Sequence, residues 1–125
     1  VTDRPALTVM TDDPTPPYEQ LRRQLAELIR YGVLAPGDRL PPLRQLAADL
    51  GLAVGTVARA YRELETVGMV VSRRGGGTRV AATAHREADA TKALRDRAGA
   101  FVRDARLLGA DDDQIQSVIA RALGR

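Results

Sequence analysis

At 125 residues the chain has room for one compact domain and a modest appendage. It has no Cys, and His85 is its only histidine, which excludes disulfides, thiolate metal sites, a histidine metal cluster and a Ser-His-Asp triad within one chain. The formal charge of +3 is slight, yet Lys92 is the only lysine and every other basic side chain is Arg, the residue suited to phosphate forks and guanine edges. A GC-rich genome explains the same bias, so charge alone does not name a partner. Phe101 is the only Phe and Trp is absent, so the core is expected to be built from Leu, Ile, Val and Ala on helices. No apolar run approaches a bilayer span and the start, Val1-Thr2-Asp3-Arg4, lacks a signal-peptide pattern, which predicts a soluble, cytoplasmic protein.

In chain order, Ala6 to Met10 reads as a short edge strand, followed by the Pro-rich turn Asp13-Pro14-Thr15-Pro16-Pro17. A helix is expected from near Tyr18, with Leu21, Leu25, Leu28 and Ile29 as its apolar stripe, stopping at Gly32 before a Pro36-Gly37 turn. Leu43, Leu46, Ala47 and Leu50 line a second, shorter helix that Gly51 breaks. Val54, Val57, Ala60, Tyr61 and Leu64 line a third that ends at Gly68. Met69-Val70-Val71 and Thr78-Arg79-Val80-Ala81 read as two strands around Arg73-Arg74-Gly75-Gly76-Gly77, a glycine-tipped hairpin. Ala88, Leu94, Phe101, Val102, Ala105 and Leu108 support a long helix across roughly His85 to Leu108, ended by Gly109. Asp111 followed by Gln114 resembles a capping box that opens a last helix through Ile115, Val118, Ile119 and Leu123.

The spacing around Gly51 carries the function. Ala47 stands four residues before it and Val57 six after it. That is the small–glycine–apolar trio a helix-turn-helix needs for a close crossing, a left-handed turn and a shared plug. A preceding helix and a following hairpin complete a winged helix. The fold class is therefore mainly α with a small β-hairpin: a winged helix-turn-helix domain over 6–81, followed by a two-helix C-terminal dimerisation tail over 84–125.

In such a unit the helix from Val54 enters the major groove, presenting Gly55, Thr56, Arg59 and Arg62, with a solvated helix face as the plain alternative for both arginines. Arg44, at the start of the preceding helix, is placed to hold a phosphate or a guanine, or else to pair with Asp49 or Glu63. Arg73, Arg74 and Arg79 flank a wing tip shaped by Gly75 and Gly77, and Thr78 is a candidate for the DNA backbone. Two reading heads require a dimer, and Phe101, Val102, Leu107, Leu108, Ile115, Val118 and Ile119 are its expected seam, because so short a helix pair cannot bury its stripe alone. Packing on the chain's own DNA-binding domain is the alternative. A tail of ~40 residues cannot enclose a small-molecule pocket of the usual volume, so any effector would sit at the dimer interface; the sequence does not show one.

An enzyme is not expected. No nucleophile–base pair or metal cluster is present, no Gly-Lys-Ser/Thr follows the Gly75-Gly76-Gly77 run, and Asp111-Asp112-Asp113 fits a helix N-terminus better than an EF-hand. No cofactor, metal or membrane partner is expected. The other open reading is a winged-helix module that binds protein without specific DNA contact.

The stretch Leu34 to Val80 resembles the GntR family of regulators, through Pro36-Gly37-Asp38-Arg39-Leu40-Pro41, Leu43-Arg44-Gln45-Leu46-Ala47, Leu50-Gly51, Thr56-Val57 and Gly75-Gly76-Gly77-Thr78. Pro17-Tyr18-Glu19-Gln20-Leu21, Ala60-Tyr61-Arg62-Glu63-Leu64-Glu65 and the short two-helix tail are similar to its YtrA subfamily. The resemblance implies a bacterial homodimeric repressor, often of an ABC-type transporter operon. It also implies DNA contacts through Arg44, the start of the recognition helix and the Gly-x-Gly-Thr wing, on a pseudo-palindromic operator. Ala53 departs from the usual Ser, Thr or Asn after the turn, which leaves the recognition helix without a side-chain cap and shifts readout toward Arg59, Thr56 and DNA shape.

Overall fold

The computed structural model describes residues 7–82 and 90–125, and the chain divides into two compact units, Val1–Ala88 and Asp89–Arg125. In the first unit the order is α1 (Pro17–Arg30), α2 (Leu43–Leu50), α3 (Val54–Thr66), β1 (Val70–Arg73) and β2 (Gly77–Val80). The second holds α4 (Ala90–Leu107) and α5 (Asp112–Ala122). Among the described residues no helix is long and apolar enough to cross a membrane.

α1 starts on Pro16-Pro17, where the missing N–H costs nothing, and carries Glu19 in its first turn and Arg30 in its last, both favourable to the helix dipole. Leu21, Leu25, Ala26 and Ile29 are buried and Leu28 is packed at the edge of the core. They meet Leu46 and Ala47 of α2, Val57, Ala60, Tyr61 and Leu64 of α3, and Val70 and Val80 of the hairpin. The Tyr61 hydroxyl donates to the Pro41 carbonyl at 2.7 Å, and burial pushes its phenol up, so it remains a neutral donor. Val54, expected on the apolar face, stands 38% exposed at the first position of α3, where no neighbouring helix covers it.

β1 and β2 pair antiparallel in the register Val70↔Val80, Val71↔Arg79, Ser72↔Thr78, Arg73↔Gly77. β2 sits within a residue of its expected place, while β1 starts one residue late and runs two residues further, taking in Ser72 and Arg73, because each finds a ladder partner in Thr78 and Gly77. The other edge of β2 is paired too: Gly37 N–H donates to Val80 O at 2.9 Å, Leu40 N–H to Thr78 O at 2.8 Å, and Val80 N–H to Asp38 O at 2.8 Å. The segment before α2 therefore ties the hairpin to the helices.

Ala6 lies outside the described residues, and the part of the expected Ala6 to Met10 edge strand that is seen, residues 7–10, forms no strand. Its backbone bonds go to two glutamines one turn apart on α1. The Gln24 amide receives from Thr8 N–H at 3.0 Å and gives to Thr8 O at 2.6 Å. Gln20 does the same for Met10 at 2.8 and 2.9 Å. Spacing of two along an extended chain matches spacing of four along a helix closely enough for these side chains to replace a ladder partner.

In the second unit Asp111 accepts from Gln114 N–H and the Gln114 amide oxygen accepts from Asp111 N–H, both at 2.9 Å, which is the expected capping box. Gly109, at φ +86°, ends the preceding turn, and Arg106 reaches Asp112 at 2.7 Å. Ala105 and Ile115 are buried. The expected start of the long helix at His85 falls outside the described residues, and from Ala90 onward it is helix as read.

Candidate nucleic-acid interface

The helix pair is set by three residues. Gly51 takes φ +67°, ψ +34° at the end of α2, a conformation that costs any L side chain. Ala47 and Val57 are 2% and 0% exposed, one at the crossing and the other plugging it. The turn leaves Ala53 at the N-cap of α3, where its side chain makes no cap. Thr56 N–H is the first to bond back, to Ala53 O at 3.0 Å. The first turn of α3 thus presents open backbone donors and a partial positive charge. A Cβ built on Gly55 meets nothing within 4 Å, so the backbone there is open to close approach, and Thr56 beside it is half-buried.

Arg44 is exposed and, among the described residues, makes no hydrogen bond or ion pair. The acids that offered it a partner are engaged elsewhere: Asp49 accepts from Gln45 at 2.8 Å, while Glu63 takes Arg59 at 3.3 Å and Arg22 at 3.9 Å. Arg62, Arg73 and Arg74 are likewise exposed without a partner among the described residues. The wing turns through Arg73 O accepting from Gly76 N–H at 3.0 Å, with Gly75 and Gly77 at φ +75° and +70°. Glu65 of α3 accepts from Ser72 N–H at 3.1 Å, which fixes the wing to the recognition helix. Thr78 shares its hydroxyl with Ser72 at 3.3 Å, and Arg79 is turned inward onto Gly37 O at 3.2 Å.

Arg59 differs from the other arginines. Its guanidinium lies 3.7 Å from the centroid of the Tyr18 ring, donates to the Tyr18 hydroxyl at 3.1 Å and to Glu63 at 3.3 Å. Tyr18 was not a candidate from the sequence, because it lies 41 positions from Arg59 and no local period links them, while Glu63, four residues on from Arg59, was read only as a possible partner of Arg44. Arg39 is a further residue missed. It is exposed, and its guanidinium lies over the wing so closely that a Cβ on Gly77 would stand 3.1 Å from its Nε. Behind Arg59, Arg22 forks onto Glu19 at 2.7 and 2.8 Å and Arg23 adds a bond at 2.9 Å. The Arg22 bonds first and then Arg23 hold the Glu19 carboxyl down to about 2.

In the second unit the expected seam divides. Leu107 and Leu108 are almost fully exposed at 87% and 88%, and Phe101, Val118 and Ile119 are exposed as well. Val102 is half-buried and Ile115 is buried.

The profile of the bacterial regulatory proteins of the gntR family matches residues 17–80. The HTH-type transcriptional repressor YtrA of Bacillus subtilis is 43% identical over 70 residues, 56% of this chain and 54% of that protein. The chain spans about half the length of the curated relatives it matches. Among solved structures, YtrA from Sulfolobus acidocaldarius, a GntR-family transcription factor, is 29% identical with a TM-score of 0.55, covering 94% of this chain and 96% of that one. The DNA-binding domain of AraR in complex with operator ORX1 is 28% identical with a TM-score of 0.56, covering 62% of this chain and all of that one, 100%. The winged helix-turn-helix, its hairpin wing and the matching family profile together place the chain: it belongs to the GntR family of bacterial regulatory proteins.

Proposed function

We propose that this chain is a sequence-specific DNA-binding transcriptional regulator that binds a pseudo-palindromic operator as a homodimer and represses the genes beside it, a transporter operon being the target class. It acts on cytoplasmic DNA. The observation that carries this reading is the state of the basic side chains. Arg44 at the start of α2, Arg62 on α3, and Arg73 and Arg74 on the wing are exposed and unpaired among the described residues, around an α3 N-terminus left without a cap. Buried or paired arginines hold a fold together, whereas these four are free to meet phosphates. Gly55 offers the backbone itself, Thr56 a hydroxyl beside it, and the Gly75–Gly77 tip with Thr78 carries Arg73 and Arg74 toward the minor groove. Arg39 joins the wing arginines as a further phosphate contact.

The exposed Phe101, Leu107, Leu108, Val118 and Ile119 support a tail that pairs with a second copy, with Val102 at its margin and Ile115 behind it. Gel retardation of the DNA upstream of the chain's own gene, against unrelated competitor, tests the reading together with sedimentation of a variant ending at Ala84. Specific retardation by a dimer, and a monomeric truncation with poor affinity, are expected. A dimeric truncation overturns the role of the tail; absence of binding at low salt moves a protein-binding role to first place.

A further inference from the structure

The four unpaired arginines and Arg59 stand in different electrostatic situations, and the difference assigns them different targets on DNA; this rests on the DNA-binding reading above. The Arg59 guanidinium lies over the Tyr18 ring, 3.7 Å from its centroid, and is bonded at two points, to the Tyr18 hydroxyl and to Glu63. Two of its five N–H donors are used, and its side chain is still 54% exposed. A carboxylate 3.3 Å from Nε repels an incoming phosphate, which carries a full negative charge. It opposes a guanine edge far less, because O6 and N7 are neutral acceptors that need two aligned donors in one plane. The contact with Tyr18 and the bonds to its hydroxyl and to Glu63 restrain the guanidinium before DNA arrives, so less rotamer freedom is lost on contact. Glu63 is itself shared with Arg22 at 3.9 Å, and Arg22 is forked onto Glu19, so the clamp is anchored along α1 rather than hanging on one exposed pair.

We propose that Tyr18 and Glu63 are positioning residues that turn Arg59 into a base-reading side chain, while the unpaired Arg44, Arg62, Arg73 and Arg74 grip phosphates. Tyr18 lies on α1, outside both the helix-turn-helix pair and the wing, so the first helix takes part in choosing the operator sequence.

The test is a set of affinities for the operator and its single-base-pair substitutions at several salt concentrations. The full chain is compared with Arg59→Ala, Tyr18→Leu, Tyr18→Phe, Glu63→Gln and Arg62→Ala, and thermal unfolding checks that each is folded. In the wild type, one G·C pair per half-site should cost about tenfold or more when replaced. Arg59→Ala should flatten that preference and leave the slope of log affinity against log salt nearly unchanged. Arg62→Ala should lower the slope by about 0.9 at every operator and keep the preference. Tyr18→Leu should lose most of the preference and Tyr18→Phe, which keeps the ring, little of it. Glu63→Gln should bind all DNA more tightly with a steeper slope, because Arg59 is released to a phosphate; it also serves if Tyr18→Leu fails to fold. A slope lowered by about 0.9 in Arg59→Ala, with equal weakening at all operators, overturns the assignment, as does a preference that survives Tyr18→Leu and Glu63→Gln intact. A wild-type chain that does not discriminate among DNA sequences overturns the regulator reading, and this one with it.

Discussion

Replacing Gly51 by Ala isolates the turn on which the helix-turn-helix depends. The residue sits at φ +67°, and a Cβ built there meets nothing within 4 Å, so the whole cost is conformational. Holding an L residue in the left-handed region costs about 1–2 kcal/mol. The stiffer unfolded chain returns about 0.4–1 kcal/mol. The net loss is about 1 kcal/mol, which lowers the unfolding midpoint by about 4–8 °C for a domain of 60–100 residues. Gly51→Asn should recover part of this, since Asn tolerates the left-handed region. Thermal and urea unfolding followed by far-UV circular dichroism measures it, with the urea m-value unchanged between variants. A loss beyond about 3 kcal/mol would refute the reasoning, because it requires a steric clash that the open space around Gly51 does not provide. No loss at all would mean that the turn does not use the left-handed conformation.

Arg44→Ala should weaken operator binding and reduce the salt slope by about 0.9 while leaving the melting temperature unchanged, since the side chain holds nothing in the fold; titration at several salt concentrations checks both. Asp111→Ala removes the capping box of α5 and should cost about 1 kcal/mol in thermal unfolding of the full chain, with Asp111→Ser nearly neutral. Glu19, held down to about 2 against an ordinary value of 4.5, contributes stability that is present above about pH 4.5 and lost as pH falls toward 2. An acid unfolding series should show that loss, and Glu19→Gln should flatten it.

Much of the DNA-binding unit was legible because its determinants are local. Gly51, Gly32 and Gly68 each stop a helix by a positive φ, and a glycine after an apolar periodic run announces that position. Ala47 and Val57 follow from fixed offsets to Gly51, and Asp111 with Gln114 is a four-residue pattern that satisfies its own backbone groups. Elements whose partners lie far along the chain were not legible. Leu7 and Val9 alternate with Thr8 and Met10 like a strand, but the backbone groups of Thr8 and Met10 find their partners in glutamine side chains on α1. The pairing of residues 37–40 with β2 rests on three backbone bonds, too few to impose a pattern on the sequence. Arg59 looked like Arg62, three residues on along the same helix. What separates them is Tyr18, brought beside α3 by the burial of Leu21 and Leu25, which have no sequence relation to Arg59.

The measurement that tests the central claim most directly is the affinity of the full chain for DNA from its own upstream region and for an unrelated duplex of equal length, followed by fluorescence anisotropy between about 50 and 200 mM salt. The account predicts at least about a thousandfold preference for the upstream site at physiological salt, and both affinities falling steeply as salt rises. Equal affinity for the two duplexes, or binding insensitive to salt, would contradict it.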